Sequence, residues 1–226
     1  MWQSILGIIA ALGLTALLTR QILRTMDRKR HAPETLFREA KTLLSEPRTE
    51  PGPTVGSYRL IGLYHDLPVQ VQTVIDTLNV RKLPSLWLMV TMPEPLPLRA
   101  TFDLMMRPSG PTTFSNFDAL PFTIERPTDF PEYAVIRTDD PDHILPGHVV
   151  RPHLGSFFGA SAKELLLTPR GLRMVIQLGE GDRARYGVFR QAEFGKITVD
   201  TGTLRDVLDR LIALRSDILD WHRKTQ

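Results

Sequence analysis

The chain contains no cysteine, which excludes disulfides, thiolate metal sites and a cysteine nucleophile. It also lacks a G-x-x-x-x-G-K-[ST] loop, and no G-x-G-x-x-G follows a strand pattern. Neither of the common glycine-rich cradles for a nucleotide is therefore present, and no cofactor is expected. The helical H-E-x-x-H zinc signature and the G-x-S-x-G nucleophile turn are missing as well. Charge of one sign is scarce: 226 residues carry a net +3. Charge of either sign is absent from the first nineteen positions, "MWQSILGIIAALGLTALLT".

The small positive excess has one address. Arg20, Arg24, Arg28, Lys29 and Arg30 face only Asp27 between positions 20 and 30, a net of +4, whereas the rest of the chain nets −1. A nucleic-acid-binding domain spreads positive charge over a folded face, so nucleic acid is not an expected partner. A basic cluster directly behind an uncharged run is the pattern of a membrane flank.

A helix over Trp2–Leu23 would be roughly 33 Å long at about 1.5 Å per residue, enough for a hydrocarbon layer about 30 Å thick. Eight Leu and Ile between positions 2 and 19 favour insertion by about 2–5 kcal/mol. A cleaved signal peptide carries its basic residues before the apolar run; here they come after it. The expectation is a transmembrane anchor over residues 1–23 in the cell's inner membrane. The positive cluster then leaves the N-terminus outside and the remaining chain in the cytoplasm. Gly7, Ala11, Thr15 and Thr19 recur every fourth residue and line one side of that helix with small side chains, a possible packing seam for a second copy.

Residues 24–57 read as a basic juxtamembrane segment, a stalk helix and a linker. Pro33 suits a first helical position, and Leu36, Phe37, Ala40, Leu43 and Leu44 share one face. That face suits either a partner or the membrane surface. "EPRTEPGPTVGS", residues 46–57, holds three prolines and two glycines and reads as linker.

Residues 58–226 read as one soluble α+β domain, with a mostly antiparallel sheet partly covered by a long C-terminal amphipathic helix and a shorter one. With 42% apolar and 23% charged residues, the chain can bury a core. "YRLIGLY" and "LPVQVQTV" around His65-Asp66 predict a hairpin; "LWLMV", "ATFDLMM" and "EYAVIRT" are further strands, and "KELLLTPRGLRMVIQLGEG" is two strands around Pro169-Arg170-Gly171. Residues 107–132 are irregular, with a short strand near Phe122–Ile124. "RYGVFR" or "FGKITVD" adds a strand. Asp139 or Asp140 caps a short helix begun by Pro141. At the end, Thr203 with Asp206 forms a capping-box pattern, and Leu204, Val207, Leu208, Leu211, Ile212, Arg215, Ile218, Leu219 and His222 mark one helical face.

Residues 130–176, with a strand ending in an acidic-proline turn, a short helix and a hairpin around a Pro/Gly turn, resemble the C-terminal half of uncharacterised bacterial proteins that join a single spanning helix to a domain of unknown function. The resemblance implies an architecture and no reaction.

His143, His148 and His153 are five apart, about 140° between successive imidazoles on a helix, and therefore share no face; no metal site is expected. "GDRARYGVFRQAEFGK" interleaves Arg183, Arg185, Arg190 and Lys196 with Tyr186, Phe189 and Phe194, the pattern of a phosphate or single-strand surface and equally of an ordinary strand with basic outer residues, the reading that Asp182, Glu193 and a neutral domain favour. The leading expectation is a membrane-anchored interaction domain, a scaffold or accessory subunit with a protein partner or a second copy of itself. The rival is a membrane-tethered enzyme, a hydrolase with Asp140, His143 and Ser156 as its candidate groups.

Overall fold

The alternation of apolar and polar side chains that starts at Tyr58 does produce strands, and in the computed structural model all of them join one sheet. The structure describes residues 34–53, 57–76, 83–159, 161–181, 194 and 197–226. Within these, the strands are β1 (Ser45–Pro51), β2 (Tyr58–Tyr64), β3 (Leu67–Asp76), β4 (Ser85–Met92), β5 (Phe102–Met106), β6 (Phe122–Ile124), β7 (Ala134–Thr138), β8 (Ala162–Thr168) and β9 (Gly171–Glu180). They lie in the order β1-β2-β3-β4-β9-β8-β5-β7-β6, every neighbouring pair antiparallel. With the C-terminal helix (Thr201–Thr225), this is the expected α+β architecture.

The β2–β3 hairpin turns on His65 and Asp66, both at positive φ (48° and 63°). That pair of left-handed residues twists the turn in the sense of the strands, and Asp and His tolerate it better than bulkier or β-branched residues do. The β8–β9 turn needs Gly171 for a second reason. Its φ is +142°, and a Cβ there would stand 2.3 Å from the Met92 carbonyl oxygen, so any side chain would push two strands apart.

The chain departs from the sequence reading at its described start. Residues 46–57, expected as a linker, instead hold most of β1, an edge strand whose Arg48, Thr49 and Glu50 lie opposite Ile61, Leu60 and Arg59. The prolines that suggested a linker sit where a strand tolerates them. Pro47 falls in the irregularity between Ser45 and Arg48, beside Glu46 at φ 51°, and Pro51 is the last residue. The apolar face just before it is not left for a partner or a bilayer: Phe37 and Ala40 are fully buried and Leu44 nearly so, within the main core. The folded body therefore takes in residues from Glu34 onward rather than from Tyr58.

That main core lies between one face of the sheet and the C-terminal helix, which buries Leu204, Val207, Leu208, Leu211, Leu214 and Ile218. The helix begins slightly earlier than the capping-box pattern implied. Asp200 is its cap, the carboxylate accepting from the Thr203 amide at 2.8 Å, and the N-cap contact satisfies one of the orphan first-turn donors. Polar ties fix the helix against the sheet connections. The Tyr64 hydroxyl donates to Asp209 at 2.7 Å, and Arg215 makes a two-pronged pair with Glu94, both contacts at 2.5 Å. Glu94 belongs to the proline-rich connection after β4, which remains a loop as its prolines require.

Two expectations fail locally. Asp140 does not begin a helix: its carboxylate accepts the Asp142 amide at 3.0 Å in a turn, and the helical turn that follows runs from Gly147 to Val150. Of the two candidates for an added strand, "RYGVFR" lies outside the described residues, and of "FGKITVD" Phe194 and residues 197–200 are not strand, although Val199 is fully buried and donates to the Leu36 carbonyl at 2.9 Å. Among the described residues no helix is long and apolar enough to cross a membrane. The expected span over 1–23, its small-residue seam (Gly7, Ala11, Thr15, Thr19), the basic cluster (Arg20, Arg24, Arg28, Lys29, Arg30) and Arg183, Arg185, Arg190 and Lys196 all lie outside the described residues.

Candidate functional site

On the sheet's second face the strand register builds two adjacent rows. One runs Thr91, Arg173, Leu166, Asp103, Arg137, Thr123 across β4, β9, β8, β5, β7 and β6. The other runs Met89, Val175, Glu164, Met105, Val135. Side chains alternate faces along each strand, so acids at positions 103 and 164 point away from the helix while Phe102, Leu104, Leu165 and Leu167 fill the main core.

The segment between β5 and β6 closes over these rows. Phe114 and Phe117 pack with Val74, Met89, Met105 and Val175 in a second, smaller cluster, and Trp87 meets Phe114 at 5.4 Å between ring centres. Two arginines hold the segment down. Arg137 donates to the carbonyls of Phe117, Asp118 and Leu120 at 3.5, 3.1 and 3.3 Å, with its guanidinium 5.2 Å from the Phe117 ring centre. Arg173 donates to the Phe114 carbonyl and to the Thr91 hydroxyl, each at 3.4 Å.

Those donors are spent on the covering segment and on Thr91, and three carboxyl oxygens beneath them are left without a hydrogen bond. Asp103 is 2% exposed and Glu164 fully buried; Oδ1 of the former and both oxygens of the latter have no hydrogen-bond partner. Burying an unpaired charge is costly, so the neutral form is favoured. Burial, and next the neighbouring Glu164, push the Asp103 carboxyl up to about 9; Arg173 pulls the other way. Burial pushes Glu164 up to about 7 against the opposing pull of the Ser115 hydroxyl, Arg173 and Lys163. Such a pair can take up and release protons near neutral pH, or pair with a cationic group brought to it.

Asp103 also lines a cleft of about 410 Å³, shared with Thr91, Phe114, Asn116, Arg170 and Arg173. Nothing in the sequence patterns drew attention to either acid. The usable signal was a lone acidic residue inside each of two largely apolar strands, "FDLMM" and "AKELLLT", the second with Lys163 beside it.

The residues singled out for a hydrolase are only partly assembled. His143 Nδ1 lies 2.7 Å from Asp140 Oδ2, with both side chains about 40% exposed, and this pairing holds the Asp140 carboxyl below its ordinary range. His143 borders a second cleft of about 430 Å³ with Asp142, Arg99, Trp221 and His222, and Ser156 is not part of its lining. Ser156 stands in the helical turn Gly155–Phe157, its hydroxyl buried without a partner. The three residues therefore do not converge in one cleft. Of the other histidines, His148 is exposed on the turn Gly147–Val150, and His153 is buried and bonded to Asp217 of the C-terminal helix at 2.7 Å. Among the described residues no three His, Asp or Glu side chains gather closely enough to hold a metal ion.

No family model and no curated protein matches the chain. Among solved structures, the crystal structure of the mycobacterial trehalose monomycolate transport factor A is similar over 71% of this chain and 70% of its own, at 6% identity and a TM-score of 0.34.

Proposed function

We propose that the chain is a single-pass inner-membrane protein, with residues 1–23 as its anchor and the N-terminus outside. Its α+β body would then serve on the cytoplasmic side as an interaction domain, a scaffold or accessory subunit of a membrane-associated complex. One observation carries this reading: nineteen uncharged residues are followed at once by a net +4, ahead of a chain that is otherwise nearly neutral. The burial of Phe37, Ala40 and Leu44 adds a constraint. The body begins about ten residues after the proposed anchor, a reach of at most roughly 35–40 Å at about 3.5 Å per residue, and so stays near the bilayer. The seam of Gly7, Ala11, Thr15 and Thr19 gives a second copy a route to pair within the lipid. Against the hydrolase stands the position of Ser156, outside the cleft that His143 borders.

The absence of native cysteine makes the topology directly measurable. Cysteine placed at Gln3 should be labelled in intact cells by a membrane-impermeant maleimide, and cysteine placed at Gln226 only after the membrane is opened. The chain should stay with membranes through alkaline carbonate and leave them when residues 1–23 are deleted. Carbonate release of the full chain, or labelling of Gln226→Cys in intact cells, would overturn the placement. For the interaction role, site-specific crosslinking in native membranes should give a discrete adduct of defined mass; a chain that stays uncrosslinked from positions spread over its body counts against a scaffold.

A further inference from the structure

The cleft beside Asp103 has a composition that selects its occupant. We propose that it is a binding site for a small zwitterion, a molecule whose protonated amine pairs with Asp103 and whose carboxylate or phosphate is held by Arg170 and Arg173. The floor supplies an acceptor with no partner: Asp103 Oδ1 is unbonded in a residue 2% exposed, and the residue lines the cleft. The wall supplies donors. Arg170, in the turn between β8 and β9, is exposed and its guanidinium makes no ion pair or hydrogen bond among the described residues. Arg173 engages Thr91 and the Phe114 carbonyl through Nε and Nη1, leaving Nη2 for a ligand.

The charge balance decides between classes of ligand. A simple cation would meet two guanidinium groups, and a simple anion would leave Asp103 Oδ1 without a hydrogen-bond partner. A zwitterion answers both, because charge-assisted hydrogen bonds form at each end. Thr101, Thr168 and the Asn116 amide add neutral hydrogen-bonding groups around it, and Phe114 contributes an apolar side. A cleft of about 410 Å³ is of the size that small-molecule sites have. An arriving ammonium also replaces the proton that burial holds on Asp103, so binding at neutral pH releases a proton.

The test is calorimetric titration of the full chain in detergent with 4-aminobutyrate and with phosphoethanolamine, against butyrate, n-butylammonium and inorganic phosphate. At least one zwitterion should saturate with a Kd below about 1 mM, and each probe carrying charge of one sign only should bind at least tenfold more weakly. Asp103→Asn, which removes a buried acid while preserving shape, and Arg170→Gln, at an exposed turn, should each weaken that binding at least tenfold, with both variants checked by thermal melting to be folded. Measured in buffers of different ionisation enthalpy, the wild-type heat should report proton release and the Asp103→Asn heat should not. The proposal is overturned if neither zwitterion saturates, if butyrate, n-butylammonium or phosphate binds as tightly, or if Asp103→Asn binds within twofold of wild type.

Discussion

The two faces of the sheet are held by different physics. The face under the C-terminal helix is lined almost wholly by apolar side chains, and its stability follows the area removed from water. The opposite face has only a small apolar cluster. There the covering segment is fastened by arginines to its own backbone carbonyls, above the buried Asp103 and Glu164, three of whose carboxyl oxygens lack a hydrogen-bond partner. The apolar packing of the first face should be indifferent to pH and salt over the physiological range, and the second face should respond to protons and to ligands that bring a charge.

The largest effect should come from the apolar face. Leu208→Ala empties a fully buried position and should remove about 2–5 kcal/mol from the unfolding free energy, read by urea denaturation, with the same loss at pH 5 and pH 8. A pH-dependent loss would blur the distinction between the faces.

Next, Arg137→Met keeps bulk but deletes the donors to three carbonyls, and should cost about 1.5–3 kcal/mol. It should also speed proteolytic cutting between residues 107 and 121. Cutting at wild-type rate would show that Phe114 and Phe117 hold the segment without the arginine.

Proton linkage gives a graded effect of known sign. Both buried acids have folded values above their ordinary 3.8 and 4.5, at about 9 and about 7. Between those limits the native state holds protons that the unfolded chain has lost, so stability falls as pH rises. The thermal midpoint should drop steadily from pH 5 to pH 9, and the slope should flatten in the Asp103→Asn/Glu164→Gln double variant. Glu94, whose carboxyl the Arg215 hydrogen bond holds below its ordinary value, acts in the opposite direction and only in acid, outside that window. A flat profile in the wild type would mean that the pair is not buried in solution as it is here.

The smallest effect belongs to Glu94→Gln. Its bond to Arg215 is two-pronged but partly open to water, with side chains 25% and 23% exposed, and solvent screening limits the loss to under about 1 kcal/mol. That loss should shrink further in 1 M salt.

Most of the helix-covered face was legible in the sequence because period is a strong signal. Val69 and Val71 alternate with glutamines and pack inward, and the last helix repeats its leucines at 3.6-residue spacing. Even there the cap was misplaced, since Asp200 lies ahead of the Thr203–Asp206 pattern. The edge strand β1 was hidden because an edge needs a ladder on one side only. Prolines at a bulge and at a strand end do not break such a ladder, although the same composition signals a linker. The cleft was hidden for a different reason. Asp103 and Glu164 are far apart in the chain, and only the pairing of β5 with β8 brings their rows together.

An open sheet must end somewhere, and this one ends in two strands poorly suited to growth. At one margin, two of the seven residues of β1 are prolines with no amide hydrogen to offer, and its ladder is already interrupted at Glu46. At the other, β6 is three residues long. Among the described residues, neither margin presents the long, flat row of donors and acceptors that invites one copy to zip onto the next. The body can therefore be crowded on a surface without polymerising through its strands, and whatever binds it has to recognise side chains.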